Sequence, residues 1–214
     1  MTIDETNPEA PRPRGGPRGS YAKSTATRNA ILEAALEVFA QGGYRAGSLR
    51  EVAARVEMSE AGLLHHFPSK SVLLAAVLAR RDEHSYELVH FEETGADPME
   101  TLGGLVRLAA YNASVPGVVE LYCVLSAEAT APSHPAHAYF VERYATTQLR
   151  IARTFAALAE RGGLQPGVEP GAAARSVIAL MDGLQVQWLL DRASVDMAAE
   201  LRNHLARLVT EPIS

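Results

Sequence analysis

The sequence predicts an all-α chain of about nine helices, a three-helix head followed by a larger helical body. Three observations carry that prediction. From Thr25 onward, apolar residues recur at three- and four-residue spacing. No convincing period-two strand pattern and no internal repeat interrupts them. Glycine, proline and capping residues divide the pattern into helix-length segments.

The elements follow in order. Residues 1–24 are rich in Pro, Gly and charge and read as a disordered basic arm. Arg28–Gln41 puts Ile31, Ala35, Val38 and Phe39 on one face, widened by Leu32 and Leu36. Gly42-Gly43 ends this helix with a glycine in the left-handed position. Ser48-Leu49-Arg50-Glu51 fits a capping box and opens a short helix whose apolar residues are Leu49, Val52, Ala53 and Val56. After a turn at Glu57-Met58-Ser59, Ser59 caps a second short helix, and Pro68 stops it near Phe67. Ser69 caps the next start, continued by Val72, Leu73, Ala76, Val77 and Arg80.

Asp97-Pro98-Met99-Glu100 combines an Asp cap, Pro at the first helical position and Glu at the third. That helix breaks at Pro116-Gly117, and another runs from about Gly117 to Ala129. After Pro132 and Pro135 a long helix extends to Gly162-Gly163. An apolar helix spans Ala172–Leu190, and Ser194 caps a last one to about Val209. The domain reading is an arm at 1–24, a head at 25–70 and a body at 71–214.

Composition narrows the function. Of the 214 residues, 47% are hydrophobic and 21% charged, which is globular composition. A single cysteine, Cys123, excludes an internal disulfide framework and a cysteine-rich zinc module. There is no secretory leader pattern and no run of about 18 apolar residues, so the expectation is a soluble cytoplasmic protein with no membrane partner. The net charge of −5 is unevenly placed. Residues 1–70 hold nine Lys/Arg against eight Asp/Glu, whereas residues 71–214 hold eleven against seventeen. Arg12, Arg14, Arg18, Lys23 and Arg28 follow one another without an intervening acid. A basic arm on an acidic body suggests a polyanion partner at one end.

Three short helices, the last two separated by a three-residue turn, suggest a helix-turn-helix, with small Ala53 where two helices cross. The residues then resemble a known family. Arg28, Ile31, Leu32, Ala34, Ala35 and Phe39 fit the opening helix of TetR-family transcriptional regulators. Gly43-Tyr44 and Ser48-Leu49-Arg50-Glu51-Val52-Ala53 fit the next segment. Ser59, Leu63, Leu64, His66, Phe67, Ser69 and Lys70 fit the last. Two positions depart from the pattern. Glu57 stands where the family usually has Gly, at a cost of roughly 1 kcal/mol if the backbone there needs φ > 0. Leu64 replaces a Tyr that commonly touches phosphate in the family, a contact for which His65 is the substitute.

The resemblance implies a double-stranded DNA operator as partner. The candidate DNA-contacting residues are Arg28, Ser48, Arg50, Ser59, Glu60, Ala61, Gly62, His65, His66, Ser69 and Lys70. Glu60, Ala61, Gly62 and His65 are expected outward, with Leu63, Leu64 and Phe67 mostly inward. Small Ala61 and Gly62 permit close approach to bases or a thymine methyl, and Glu60 can accept from a cytosine amino group. Ser48 and Lys70 stand at helix starts, where amides and dipole favour phosphate.

The resemblance also implies a body that binds a small-molecule effector and dimerises. The dimer is expected through the last two helices: Ile178, Leu180, Met181, Leu184, Val186, Trp188 and Leu189 on one, and Met197, Leu201, Leu205 and Leu208 on the other. Candidate effector-binding residues are Tyr111, Tyr122, Cys123, Ser126, Tyr139, Phe140, Tyr144, Gln185 and Trp188. No metal or cofactor is predicted. His65-His66 point about 100° apart on a helix, and His134 with His137 lacks a third ligand. Without a nucleophile elbow, a P-loop or a dinucleotide fingerprint, the chain does not read as an enzyme. The overall expectation is a ligand-responsive repressor. The alternative is a helical interaction module without DNA binding, to be favoured if Arg50 and Lys70 prove to be tied up in intramolecular ion pairs.

Overall fold

A computed structural model of the protein describes residues 18–89 and 97–213. Its helices are α1 (Arg18–Ala46), α2 (Leu49–Arg55), α3 (Glu60–His66), α4 (Lys70–Val89), α5 (Pro98–Ser114), α6 (Pro116–Glu128), α7 (His137–Glu160), α8 (Pro170–Leu190) and α9 (Met197–Leu205). The one strand-like feature among the described residues is an isolated bridge between Leu164 and Val209. No single described helix is long and apolar enough to cross a membrane.

Local chemistry sets most helix ends. The Ser48 hydroxyl accepts from the Glu51 amide at 3.1 Å, that of Ser59 from Gly62 at 3.1 Å and that of Ser69 from Val72 at 3.2 Å. The Glu51 carboxylate lies 3.3 Å from Arg55. Pro98, Pro116 and Pro170 each sit in the first turn of their helix, where the missing amide costs nothing.

Several expectations are corrected. The first helix begins at Arg18, within the segment read as a disordered arm. After Pro17 no proline interrupts the chain, and Ala22, Lys23 and Ala26 favour helix. The rest of the arm, with Arg12 and Arg14, lies outside the described residues. Gly43 does break α1, but at φ 67° and ψ −176° rather than in the left-handed helical well. Glycine alone adopts that conformation readily. A Cβ there would stand 2.7 Å from the Glu128 carboxylate.

The helix after Ser69 runs on to Val89, because Leu78, Asp82, Ser85 and Val89 continue its buried face. The final helix is capped by Asp196, not Ser194. Its carboxylate accepts from the amides of Ala198 and Ala199 at 3.1 and 3.0 Å, while the Ser194 hydroxyl donates to the Asp191 carbonyl. That helix stops at Leu205, because Val209 leaves it to bridge Leu164.

Two apolar cores result. In one, Ile31, Phe39, Val52, Leu63, Phe67 and Leu73 close the head and continue into Leu121, Leu125 and Phe140 of α6 and α7. The other unites Leu102, Ile151, Phe155, Val177, Trp188, Leu201 and Leu205 in the body. Helix α4 joins them, with Leu73 to Leu78 in the first and Val89 in the second.

The dimer expectation changes as well. Met197, Leu201 and Leu205 of α9 are buried within the chain itself, where α9 packs on α5 and α8. The large apolar residues left exposed on the body lie on α7 and α8: Val141, Leu149, Val186 and Leu190.

Candidate DNA interface and effector cavity

The α2–α3 unit is held from inside. Val52, Ala53 and Leu63 are buried where the helices cross. The turn closes through amides of Val56 and Met58 donating to the Ala53 carbonyl at 3.2 and 3.0 Å. Glu57 sits at φ 54°, the conformation for which the family pattern uses glycine.

Helix α3 turns Glu60, Ala61, Leu64 and His65 to solvent and buries Leu63, with buried Phe67 as its C-cap. Leu64 was expected inside. A residue one step beyond Leu63 lies about 100° around the helix, on the face shared with Ala61 and His65. Gly62 is half-buried, its amide spent on Ser59.

Other predicted contact residues divide into free and engaged groups. Arg50 is exposed at the start of α2 and forms no ion pair among the described residues. Ser48 is exposed, and Ser69 is half-buried with its hydroxyl 2.9 Å from that of Ser71. Arg28 braces α3: its NH1 donates to the His66 carbonyl at 3.1 Å, and its guanidinium lies 4.1 Å over the Phe67 ring. The half-buried His66 meets His65 edge-on at 5.8 Å. Lys70 donates to the Arg45 carbonyl at 3.3 Å and covers the Tyr44 ring at 4.5 Å. Desolvation pushes its ammonium below the ordinary lysine value, and Glu128 pulls the other way.

Tyr44 also ties the head to the body. Its amide donates to Glu128 of α6 at 2.9 Å, and its ring meets His134 edge-on at 5.1 Å. His134 Nδ1 accepts from the Ala136 amide, and Nε2 lies 3.5 Å from the Glu128 carboxylate. His137 Nδ1 bonds the Ala129 carbonyl at 2.8 Å. These histidines hold the α6–α7 connection.

Two neighbouring cavities of the body share part of their walls. The larger of the pair, about 280 Å³, is walled by Leu32, Glu33, Leu36, Val77, Arg80, Arg81, Ser85, Tyr111, Asn112 and Val118 from α1, α4, α5 and α6, with Glu33 paired to Arg80 at 3.2 Å. The smaller, about 50 Å³, lies among α4, α5, α6, α7 and α8, and shares Arg81 and Ser85 with the first. Tyr122, Tyr144 and Gln185 line it, together with Leu105, Leu108, Arg143, Thr147, Ile151, Met181 and Asp182.

A buried polar cluster backs this smaller cavity. Asp82 accepts from Arg143 Nε at 2.7 Å, from Arg81 NH1 at 3.2 Å and from the Tyr139 hydroxyl. Arg143 NH1 donates to the Tyr122 hydroxyl at 2.6 Å, and both guanidinium groups cover the Tyr122 ring. The Tyr144 hydroxyl donates to Asp182 at 2.8 Å. Burial raises the pKa of Tyr139 and Tyr144, and Asp82 and Asp182 add to the rise, so both hydroxyls act as donors.

Of the predicted effector residues, Tyr111 lines the larger cavity, and Tyr122, Tyr144 and Gln185 the smaller. Cys123 lies behind Gln185, with Sγ 3.9 Å from Oε1, and Ser126 donates to the Cys123 carbonyl. Tyr139 and Phe140 stack edge-on at 5.1 Å in the core. Trp188 is buried in the body core beneath Arg192 and lines neither cavity. Arg81, Asp82, Arg143 and Asp182 escaped the sequence reading. A charged residue in an amphipathic helix looks solvated, and only the fold, which brings Asp82 of α4 against Tyr139 and Arg143 of α7, reveals otherwise.

Two family models match: the tetR family of bacterial regulatory proteins over residues 31–77, and the C-terminal region of BetI-type transcriptional repressors over residues 121–211. Together they span well over half of the chain. The chain belongs to the TetR family of bacterial transcriptional regulators. The A-factor receptor protein of Streptomyces griseus is 26% identical over 194 residues, 89% of this chain and 66% of that one. The regulator RutR of Escherichia coli is 33% identical over 102 residues, 47% of this chain and 48% of RutR. The chain thus spans about two thirds of the first relative and half of the second. A transcriptional regulator from Saccharomonospora viridis, solved in complex with choline, shares the TetR fold at a TM-score of 0.72 and 24% identity, covering 87% of this chain and all of that one.

Proposed function

We propose that this TetR-family chain is a homodimeric, ligand-responsive repressor in which α3 reads operator DNA and a small molecule in the body cavities releases it. The observation that carries the reading is the outer face of α3. Glu60, Ala61, Leu64 and His65 are exposed on a helix fixed by the Ser59 cap at one end and by Arg28 at the other. Ala61 and Leu64 suit thymine methyls, and Glu60 and His65 offer an acceptor and a donor for base edges. Ser48, Arg50 and Ser69 lie at the rim, where phosphates position a recognition helix. Lys70 reaches phosphate by exchanging its bond to Arg45. No catalytic role is assigned, and the protein acts where the DNA is, in the cytoplasm.

The homodimer is assigned to α7 and α8, because Val141, Leu149, Val186 and Leu190 leave an apolar stripe there that a second copy covers. Two heads then address successive major grooves, about 34 Å apart, on a near-palindromic site.

Two routes connect the cavities with the heads. Helix α4 carries Arg81 in the cavity wall and Lys70 against Arg45 at its other end. Helix α6 carries Tyr122 in the wall and Glu128 on the Tyr44 amide. A ligand shifts the equilibrium only by binding one arrangement better than the other, so the effector prefers the arrangement that does not fit DNA.

Selection of bound sequences from random duplex DNA tests the reading. The expected result is an enriched near-palindrome with half-sites about one helical turn apart. A folded, dimeric protein that enriches nothing at low salt contradicts it.

A further inference from the structure

We infer that the effector is a small amphiphile carrying a carboxylate, bound by the open edge of Arg81. This rests on the reading of the body as an effector site and goes beyond it by naming the ligand's chemistry. The Arg81 side chain is only 8% exposed, and it lines both cavities. Its NH1 is held by Asp82, yet its buried Nε has no hydrogen-bond partner. The Thr147 hydroxyl, on the wall of the smaller cavity, is likewise buried without a partner. Two orphaned polar groups at one cavity mark a missing ligand, since buried donors are ordinarily satisfied.

The missing group is an anion. The Nε–NH2 side of a guanidinium matches the two oxygens of a carboxylate, and water-poor surroundings strengthen that pairing. Arg143 adds a second guanidinium to the same wall. Asp82 already accepts from Arg81, Arg143 and Tyr139, so it leaves the cations under-compensated. The wall's own carboxylate, Asp182, receives the Tyr144 hydroxyl, and burial pushes its pKa up, which weakens its claim on either arginine. Leu105, Leu108, Ile151 and Met181 provide the apolar surface for a hydrocarbon body. A cationic head would face two guanidinium groups, and an alcohol would leave one edge of Arg81 unmatched.

Calorimetric titration of the full-length dimer tests this with three matched series from four to ten carbons: n-alkyl carboxylates, 1-alkanols and alkyltrimethylammonium salts. The expected result is that one or more carboxylates binds about tenfold or more tighter than the alcohol and the ammonium of the same length. Arg81→Lys keeps the charge but removes the planar edge, so it should shrink the carboxylate-over-alcohol ratio toward one. If no carboxylate outbinds its alcohol, or if the ammonium series binds best, the inference is overturned in the wild-type protein, whether or not the variant folds. Operator binding is measured separately. Intact DNA binding without a carboxylate preference removes the ligand assignment alone, whereas failure to bind any selected DNA removes the repressor reading.

Discussion

The head and the body place their charges in opposite ways. In the head, Arg55 pairs with Glu37 at 2.7 Å and with Glu51 at 3.3 Å, and at its border with the body Glu33 of α1 pairs with Arg80 of α4 at 3.2 Å, all with substantially exposed partners. In the body, Asp82 and Arg143 meet at 2.7 Å with side chains 10% and 12% exposed. A solvated pair contributes little, while a buried pair is costly to break because the surviving charge stays desolvated. The head therefore keeps its outer surface free for DNA and relies on helix caps and an apolar core. The body spends its charges internally, on a cluster that specifies a cavity. One region displays its chemistry and the other encloses it.

This contrast is testable, from the largest effect to the smallest. Asp82→Ala should strand Arg81 and Arg143 and lower unfolding stability by about 3–5 kcal/mol in chemical denaturation. A loss below about 1 kcal/mol would place the cluster in effective contact with water. Cys123 reports the same enclosure by titration. Burial, with Asp182 adding and Arg81 opposing, pushes its thiol from 9.0 up to about 11. At pH 8 its thiolate population, and with it its alkylation rate, should be about a hundredfold below that of an unfolded control, converging as pH approaches 11. Because folding raises this pKa, the stabilisation is complete below the unfolded value and is lost as pH climbs through about 11.

In the head, Glu57→Gly should relieve the positive φ and raise stability by up to about 1 kcal/mol. A loss on that change would mean the Glu57 side chain matters more than its backbone strain. Arg50→Ala should weaken binding to all DNA sequences alike and reduce the salt slope by about one unit, as expected for a phosphate contact. An unchanged slope removes Arg50 from the interface. The smallest stability effect should be Arg55→Ala, below about 1 kcal/mol despite its two carboxylate partners. A loss comparable to that of Asp82→Ala would abolish the contrast.

The same contrast explains what was legible in the sequence. Ser48, Ser59 and Asp97 accept from amides two or three residues away, and the helix-initiating prolines preset the first turn by their own fixed φ, so spacing alone located most helices. The recognition helix was readable for the same reason, apart from Leu64, whose outward turn follows from helix geometry next to buried Leu63. The strained turn was legible too: Glu57 occupies a glycine-type position and does adopt positive φ. The effector cavity was only half legible. Tyr122, Tyr144 and Gln185 could be picked as polar-tipped residues on apolar helices, but Arg81 and Asp182 are separated by about a hundred residues of chain and meet through packing. The burial of Met197, Leu201 and Leu205 was not legible, because an apolar helix face reads the same whether it packs within the chain or against a second copy, and only tertiary contacts show that α9 lays this face on α5 and α8.

The central claim is that the enclosed body controls the spacing of the displayed heads. A nitroxide on exposed Ala54→Cys of α2 tests it, since the raised pKa of native Cys123 directs labelling to the new thiol. The dipolar distance between the two labels of a dimer is measured free, on the selected operator, and with an effector that releases it. The account predicts a single narrow distance on DNA and a displaced distance with effector, while a second pair placed on the body helix α5 at exposed Ala110 shifts less. An inter-head distance that is the same with DNA and with effector would contradict it.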